Sequence, residues 1–289
     1  MGGAVLGIEI YGQGTIHDGF GYIARMINGI TNMKTASKPH AKFFNYRPLT
    51  QDESAQYQEQ GYLVLPSVLT PAGIEGMIDE CMKAWEQEKR AFDAGKTWLE
   101  NSLLVNIHHQ SPLVRNYYFE GPLVDVAGQL IGPNLKGVTS QLTFKMRGNT
   151  KPFAWHQDNG YGELEPYNAI TTLTALEDND KETGCLWLLP KSHLQGQRQL
   201  NRSDEDRRQG REVVMEVDER AAIPLPMKAG DCLVMSCWTL HKSEGNYSQD
   251  RDRRPALWRC RRRGSRQWTQ AAPGTPAAGE NPLPGSRAI

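Results

Sequence analysis

From Gly137 the chain alternates with a period of two. Val138, Ser140, Leu142, Phe144 and Met146 fall on one face, and Thr139, Gln141, Thr143, Lys145 and Arg147 on the other. Successive side chains of a strand point to opposite faces, so this run predicts a β-strand, closed by the Gly148-Asn149 turn. Upstream the period is helical. Thr50-Gln-Asp-Glu53 is a capping box that opens a short helix. Gly61 to Pro66 predicts a compact apolar strand stopped by proline. Thr70-Pro71 opens a second helix, where Ile74, Met77, Ile78, Cys81, Met82 and Trp85 recur at helical spacing and read as core. Charges dominate from Glu86 to Lys96, a solvated face, and Leu113 to Ile131 reads as helical up to Gly132-Pro133. Downstream, Phe153 to Asp158, Ala169 to Asp178, Gly184 to Pro190, Val213 to Val217, Ala221 to Leu225 and Asp231 to Trp238 predict short strands. A helical first third followed by many short strands predicts a mainly β fold with flanking helices, a sandwich or jelly roll.

Composition narrows the class. A chain of 289 residues fits one large domain or two small ones, and 38% hydrophobic with 23% charged residues is ordinary for a soluble protein. The formal charge is zero, so no global electrostatic reason exists to expect nucleic acid or membrane as a partner. Five scattered cysteines without a CxxC pair fit reduced thiols and a cytoplasmic location. No run approaches the roughly 18 consecutive apolar residues of a membrane helix, and no basic segment followed by an apolar one marks a signal peptide. Residues 1–32 are glycine-rich without a sustained period and are expected to be a dispensable, disordered leader before Met33. Residues 259–289 end in a Pro/Gly/Ala/Ser-rich run and are expected to be a disordered tail, which leaves 33–258 as one domain.

The candidate chemistry lies at Trp155-His156-Gln157-Asp158. In an extended strand His156 and Asp158 would point to one face and Gln157 away from it. A His-x-Asp triplet alone reads equally well as a hydrogen-bonded surface pair. His241, just after the Asp231 to Trp238 strand, is placed to be a third ligand, which would complete the 2-His-1-carboxylate set of non-haem iron oxygenases. Such a face leaves three positions open for a chelating co-substrate and O2. A dicarboxylate held at one end by metal needs a cation at the other, and the basic run Arg251-Asp-Arg253-Arg254 follows His241. A zinc hydrolase on the same three ligands lacks an evident general base and leaves the arginine unexplained.

Together these residues resemble the phytanoyl-CoA dioxygenase family of Fe(II)- and 2-oxoglutarate-dependent oxygenases. The resemblance spans roughly residues 50 to 257. It rests on Trp155-His156-Gln157-Asp158, on Thr183-Gly184-Cys185-Leu186 with Pro190-Lys-Ser-His193, and on His241-x-Ser243-x-x-Asn246-x-Ser248 followed by Arg and Ala-Leu. It implies a double-stranded β-helix, that is, a cupin-like jelly roll. It also implies Fe(II) on His156, Asp158 and His241, with 2-oxoglutarate held by an arginine and contacted by Ser243 and Gln141. The family's arginine sits eleven residues after the distal histidine, where this chain has Asp252. Arg254 keeps the Arg-x-Ala context and is preferred; Arg253, one residue from the family's distance, is the alternative. Leu173 stands where several members have tryptophan. A carboxylate at Asp158 argues against the halogenating branch, in which a small residue replaces it. The implied activity is hydroxylation of an unactivated C–H bond of a small molecule with O2. The competing reading is an impaired or non-catalytic jelly-roll binder. Tyr161, Tyr167, His108 and the charged stretch 197–212 are candidates to border the substrate pocket.

Overall fold

The computed structural model describes residues 5–8, 38, 40–89, 103–145, 150, 152–158, 169–196, 198, 217–251 and 253–262; for 5–8, 88–89, 138 and 253–262 it describes the backbone alone. Helix α1, Gln51–Gln60, begins at the expected capping box. Thr50 Oγ1 accepts from the Glu53 amide at 3.1 Å, and the Thr50 amide donates to Glu53 Oε2 at 2.9 Å. Arg47 holds the same carboxylate through both guanidinium nitrogens, which lowers its pKa to about 2. Gly61, at φ 82°, closes the helix in the left-handed region that glycine tolerates best. Thr50→Ala should cost about 1 kcal/mol of stability, read as a lower midpoint in chemical denaturation.

Strand β2, Tyr62–Leu65, and helix α2, Pro71–Lys89, follow as the pattern predicts, with Met77 and Cys81 fully buried. The single helix expected from Leu113 to Ile131 is two, α3 (Pro112–Glu120) and α4 (Pro122–Ile131). Pro122 has no amide hydrogen to continue α3, and Gly121 adopts an extended conformation (φ −73°, ψ 171°) that ends one helix and starts the next. The pair His108-His109 lies in a short 3-10 turn, Ile107–His109. It follows strand β3, Leu103–Val105.

The remaining strands are β1 (Val5–Ile8), β4 (Lys136–Lys145), β5 (Phe153–His156), β6 (Ile170–Ala175), β7 (Leu186–Leu188), β8 (Ile223–Leu225), β9 (Cys232–Ser236), β10 (His241–Ser243) and β11 (Arg253–Arg262). The larger sheet runs β1-β6-β11-β4-β3 and the smaller β5-β10-β7-β8. The pair β2-β9 extends the larger sheet. Backbone bonds from Cys237 to Ala169 and from Ala175 to Asp231 hold β9 against both ends of β6. Val5–Ile8 pairs with β6, Leu6 opposite Thr174, so these four residues of the expected leader are not free chain. The other leader residues, the Gly148-Asn149 turn, most of the 197–212 stretch, all but the last residue of the Val213 to Val217 strand candidate and the tail beyond 262 lie outside the described residues. Among those described, no helix is long and apolar enough to cross a membrane.

Alternation decides what each face of the larger sheet meets. Leu142 and Phe144 of β4, Ile170 of β6, and Cys232 and Val234 of β9 pack with Met77, Cys81, Val114 and Tyr117 of the helices. The opposite positions, Leu173 and Ala175 of β6 and Leu233 and Met235 of β9, pack with Leu186 and Leu188 of the smaller sheet. Helices cover the outside and the two sheets enclose an interior, the jelly-roll arrangement expected. By the same alternation Gln141, Thr143 and Lys145 of β4 and Thr171 of β6 belong to the interior-facing rows.

Candidate metal and co-substrate site

His156 ends β5 and His241 opens β10, and the two Cα atoms are direct partners in the antiparallel ladder. Facing residues of such a pair project from the same side, so the imidazoles meet with ring centroids 4.1 Å apart. Asp158 arrives differently from the expectation. The strand stops at His156, and Asp158 sits in the turn beyond it. The turn still returns the carboxylate to the histidines, with Asp158 Oδ1 3.6 Å from His156 Nε2 and 3.3 Å from His241 Nε2. Gln157 points away as expected and anchors that turn. Fully buried, it donates to the carbonyls of Trp238 (2.6 Å) and Gly196 (3.0 Å) and accepts from the Arg198 amide at 2.8 Å.

Each ligand atom is oriented by what its far side bonds. His156 Nδ1 lies 2.8 Å from the Ala154 carbonyl, and His241 Nδ1 lies 3.0 Å from the Thr239 carbonyl. A carbonyl only accepts, so both Nδ1 atoms carry hydrogen and both Nε2 atoms face Asp158. Asp158 Oδ2 accepts from Thr171 Oγ1 at 2.5 Å, which leaves Oδ1 toward the histidines. One ligand atom from each of the three residues lies within 4.8 Å of the others, and among the described residues theirs is the group of this kind. Two imidazole nitrogens and one carboxylate oxygen around one point fit a divalent iron. His241 is buried, whereas 26% of the His156 side chain is exposed, so the open side of the group is the His156–Asp158 edge.

Burial lowers the His156 pKa to about 4, with the neighbouring His241 adding to the effect. Burial also disfavours charge on His241 and Asp158, yet their mutual attraction outweighs it, raising the imidazole and lowering the carboxyl.

The motif residues around the ligands serve mainly to place them. Ser192 Oγ accepts from the Leu240 amide at 2.9 Å, one residue before His241, and donates to the Leu189 carbonyl at 2.7 Å. Gly184, at φ 80°, sits where a Cβ would lie 2.5 Å from the Glu244 carbonyl oxygen, so only glycine lets the 180–184 turn close on the loop after β10. Buried Asn246 donates to the carbonyls of Lys145 (2.9 Å) and Arg251 (3.0 Å), which binds that loop to the end of β4 and to the chain leading into β11. Ser248 Oγ accepts from the Arg251 amide at 3.0 Å in the same loop.

Ser243 is buried two residues along β10 from His241, and Gln141 is half-buried in the interior-facing row of β4. Leu173 is fully buried in the row of β6 that also carries Thr171. Arg253 lies opposite Lys145 and Ala256 opposite Thr143, with a register irregularity between them. The side chains of Arg253 and Arg254 lie outside the described residues, as do Tyr161 and Tyr167. His108 does not border this interior. It stacks on Tyr118 of α3 at 4.5 Å and lies 2.6 Å from Ser140 Oγ, on the helix side of β4.

Three well-placed residues escaped the sequence reading. Thr171 contacts the carboxylate across thirteen positions of chain, and no local spacing announces that. Lys145 occupies a polar position of the alternating strand, the usual mark of solvent, yet is 1% exposed and donates to the Glu244 carbonyl at 2.5 Å. Gln157 was read only as facing away, although its anchoring of the turn sets where Asp158 stands.

The fold is a jelly roll, and it brings two histidines and one carboxylate into a group that could hold a metal ion. The family profile for phytanoyl-CoA dioxygenase (PhyH) matches residues 57–255. The chain belongs to that family of dioxygenases. It is 28% identical over 167 residues to phytanoyl-CoA dioxygenase 1 of Oryza sativa subsp. japonica, covering 56% of this chain and 59% of the rice protein. It is 28% identical over 207 residues to the methylphosphonate hydroxylase of Gimesia maris, covering 70% of this chain and 76% of that protein. The crystal structure of EctD from S. alaskensis with 2-oxoglutarate and 5-hydroxyectoine superposes with a TM-score of 0.53 at 21% identity, covering 77% of each chain.

Proposed function

We propose that this protein is an Fe(II)- and 2-oxoglutarate-dependent dioxygenase that hydroxylates an unactivated C–H bond of a small-molecule substrate. The observation that carries the reading is the convergence of His156 Nε2, His241 Nε2 and Asp158 Oδ1 on one point, with the remaining hydrogen-bonding atoms of all three side chains engaged elsewhere. His156, Asp158 and His241 would hold the metal. Once bound, iron supplies the redox chemistry by which O2 is divided between 2-oxoglutarate, giving succinate and CO2, and the substrate, giving an alcohol.

The chain's own groups do the rest. The Ala154 and Thr239 carbonyls keep both imidazoles in the tautomer that ligates through Nε2. Ser243, two residues beyond His241 and on the same side of β10, would donate to the co-substrate, and Gln141 would contact it from the facing row of β4. Arg254 would take its distal carboxylate in a bidentate fork, with Arg253 the alternative. The apolar wall of Leu173, Leu186 and Leu188 excludes water from the interior behind the ligands. The names of the Gimesia hydroxylase and of the EctD ligands support a small molecule as substrate.

The test is succinate release from purified protein supplied with Fe(II), ascorbate, 2-oxoglutarate and pooled small metabolites. Succinate formed in step with loss of one metabolite and gain of one oxygen is the expected result. Protein that binds neither Fe(II) nor 2-oxoglutarate would instead be a non-catalytic jelly-roll binder.

A further inference from the structure

The two histidines are oriented by main-chain carbonyls two residues upstream of each, Ala154 and Thr239, which any side chain at those positions would supply. Asp158 is oriented by a side chain. Thr171 Oγ1 donates to Oδ2 at 2.5 Å, the short distance of a hydroxyl bonded to a charged acceptor. Thr171 itself is 1% exposed and sits in the interior-facing row of β6, a strand buried along its whole length. A β-branched side chain fixed in a central strand has a narrow choice of χ1, so the hydroxyl cannot swing away from the carboxylate at little cost.

This contact matters because a carboxylate has two ways to bind a cation. It can give one oxygen, or it can chelate through both and fill a second coordination position. The reaction read from this site needs three positions left open, two for a chelating 2-oxo acid and one for O2. A hydroxyl bonded to Oδ2 biases Asp158 toward single-oxygen ligation through Oδ1, the atom that already faces both histidines. We propose that Thr171 is a positioning residue that holds Asp158 as a one-oxygen ligand and thereby keeps the metal's open face free. The inference rests on the metal reading given above.

Co(II) is the probe, because its visible bands report coordination number and its binding can be followed without turnover. Metal-free protein is titrated with Co(II) in the unsubstituted form and as Thr171→Val and Thr171→Ser, with circular dichroism to confirm folding. Loss of an outer partner typically costs about 10- to 100-fold in metal affinity. Thr171→Val should weaken Co(II) binding within that range and change the band intensities, and Thr171→Ser, which keeps the hydroxyl, should restore both. If the valine variant does not fold, Thr171→Ala makes the same deletion and carries the same expectation. Wild-type affinity together with an unchanged spectrum in a folded variant lacking the hydroxyl would overturn the role of Thr171. Failure of the unsubstituted protein to bind Co(II) would be a different result, overturning the metal site and this inference with it.

Discussion

His156→Ala should abolish succinate formation, with activity falling by more than about 100-fold, since loss of a mere outer partner already costs 10- to 100-fold. Two remaining ligands, His241 and Asp158, cannot define an octahedral face, and iron would be lost or held with an extra water. His156 is the better ligand to replace because 26% of its side chain is exposed, whereas His241 is buried and its removal would leave a cavity. Iron content by metal analysis should drop in parallel with activity, and the melting curve of the metal-free protein should stay close to the original. His109→Ala, at an exposed position of the 3-10 turn, is the control and should retain iron and turnover. Full activity in the His156 variant would refute the assigned ligand set.

The second large effect concerns the co-substrate. Arg254→Ala should raise the KM for 2-oxoglutarate by about 100-fold or more, as expected when one partner of a hydrogen-bonded charge pair is removed at a cost of about 3 kcal/mol. Iron affinity should be unchanged, which separates this loss from that of a ligand variant. Arg253→Ala should leave the KM near its original value. The reverse outcome would assign the role to Arg253, and the backbone shows why the two compete. Arg253 pairs with Lys145 and Ala256 with Thr143, so three steps along β11 match two along β4. A register shift of this kind changes which residues share a face, and the Arg-x-Ala spacing of the family was the basis for preferring Arg254.

Much of the fold was legible because its signals are local. The capping box at Thr50, the helical stripe from Ile74 to Trp85 and the alternation along β4 each involve neighbours within a turn or two of chain. Propensity and burial agree there, so reading the period is enough. The elements that differed are those where one residue overrides a longer pattern. Pro122 splits an otherwise continuous helical run into two.

The site divides along the same line. Residue type and order alone nominated His156, Asp158 and His241, because two imidazoles and a carboxylate in this sequence context have few common uses. The sequence also determined that Gln157 would turn away from Asp158, since adjacent side chains diverge. Only the tertiary structure decided that β5 and β10 pair with His156 opposite His241, that Asp158 reaches them from a turn rather than from the strand, and that Thr171 holds its second oxygen. Those facts depend on strand register and on contacts between segments far apart in the chain. Register is fixed by the combined packing of both sheets and the helical layer, a many-body property that no short stretch of sequence encodes.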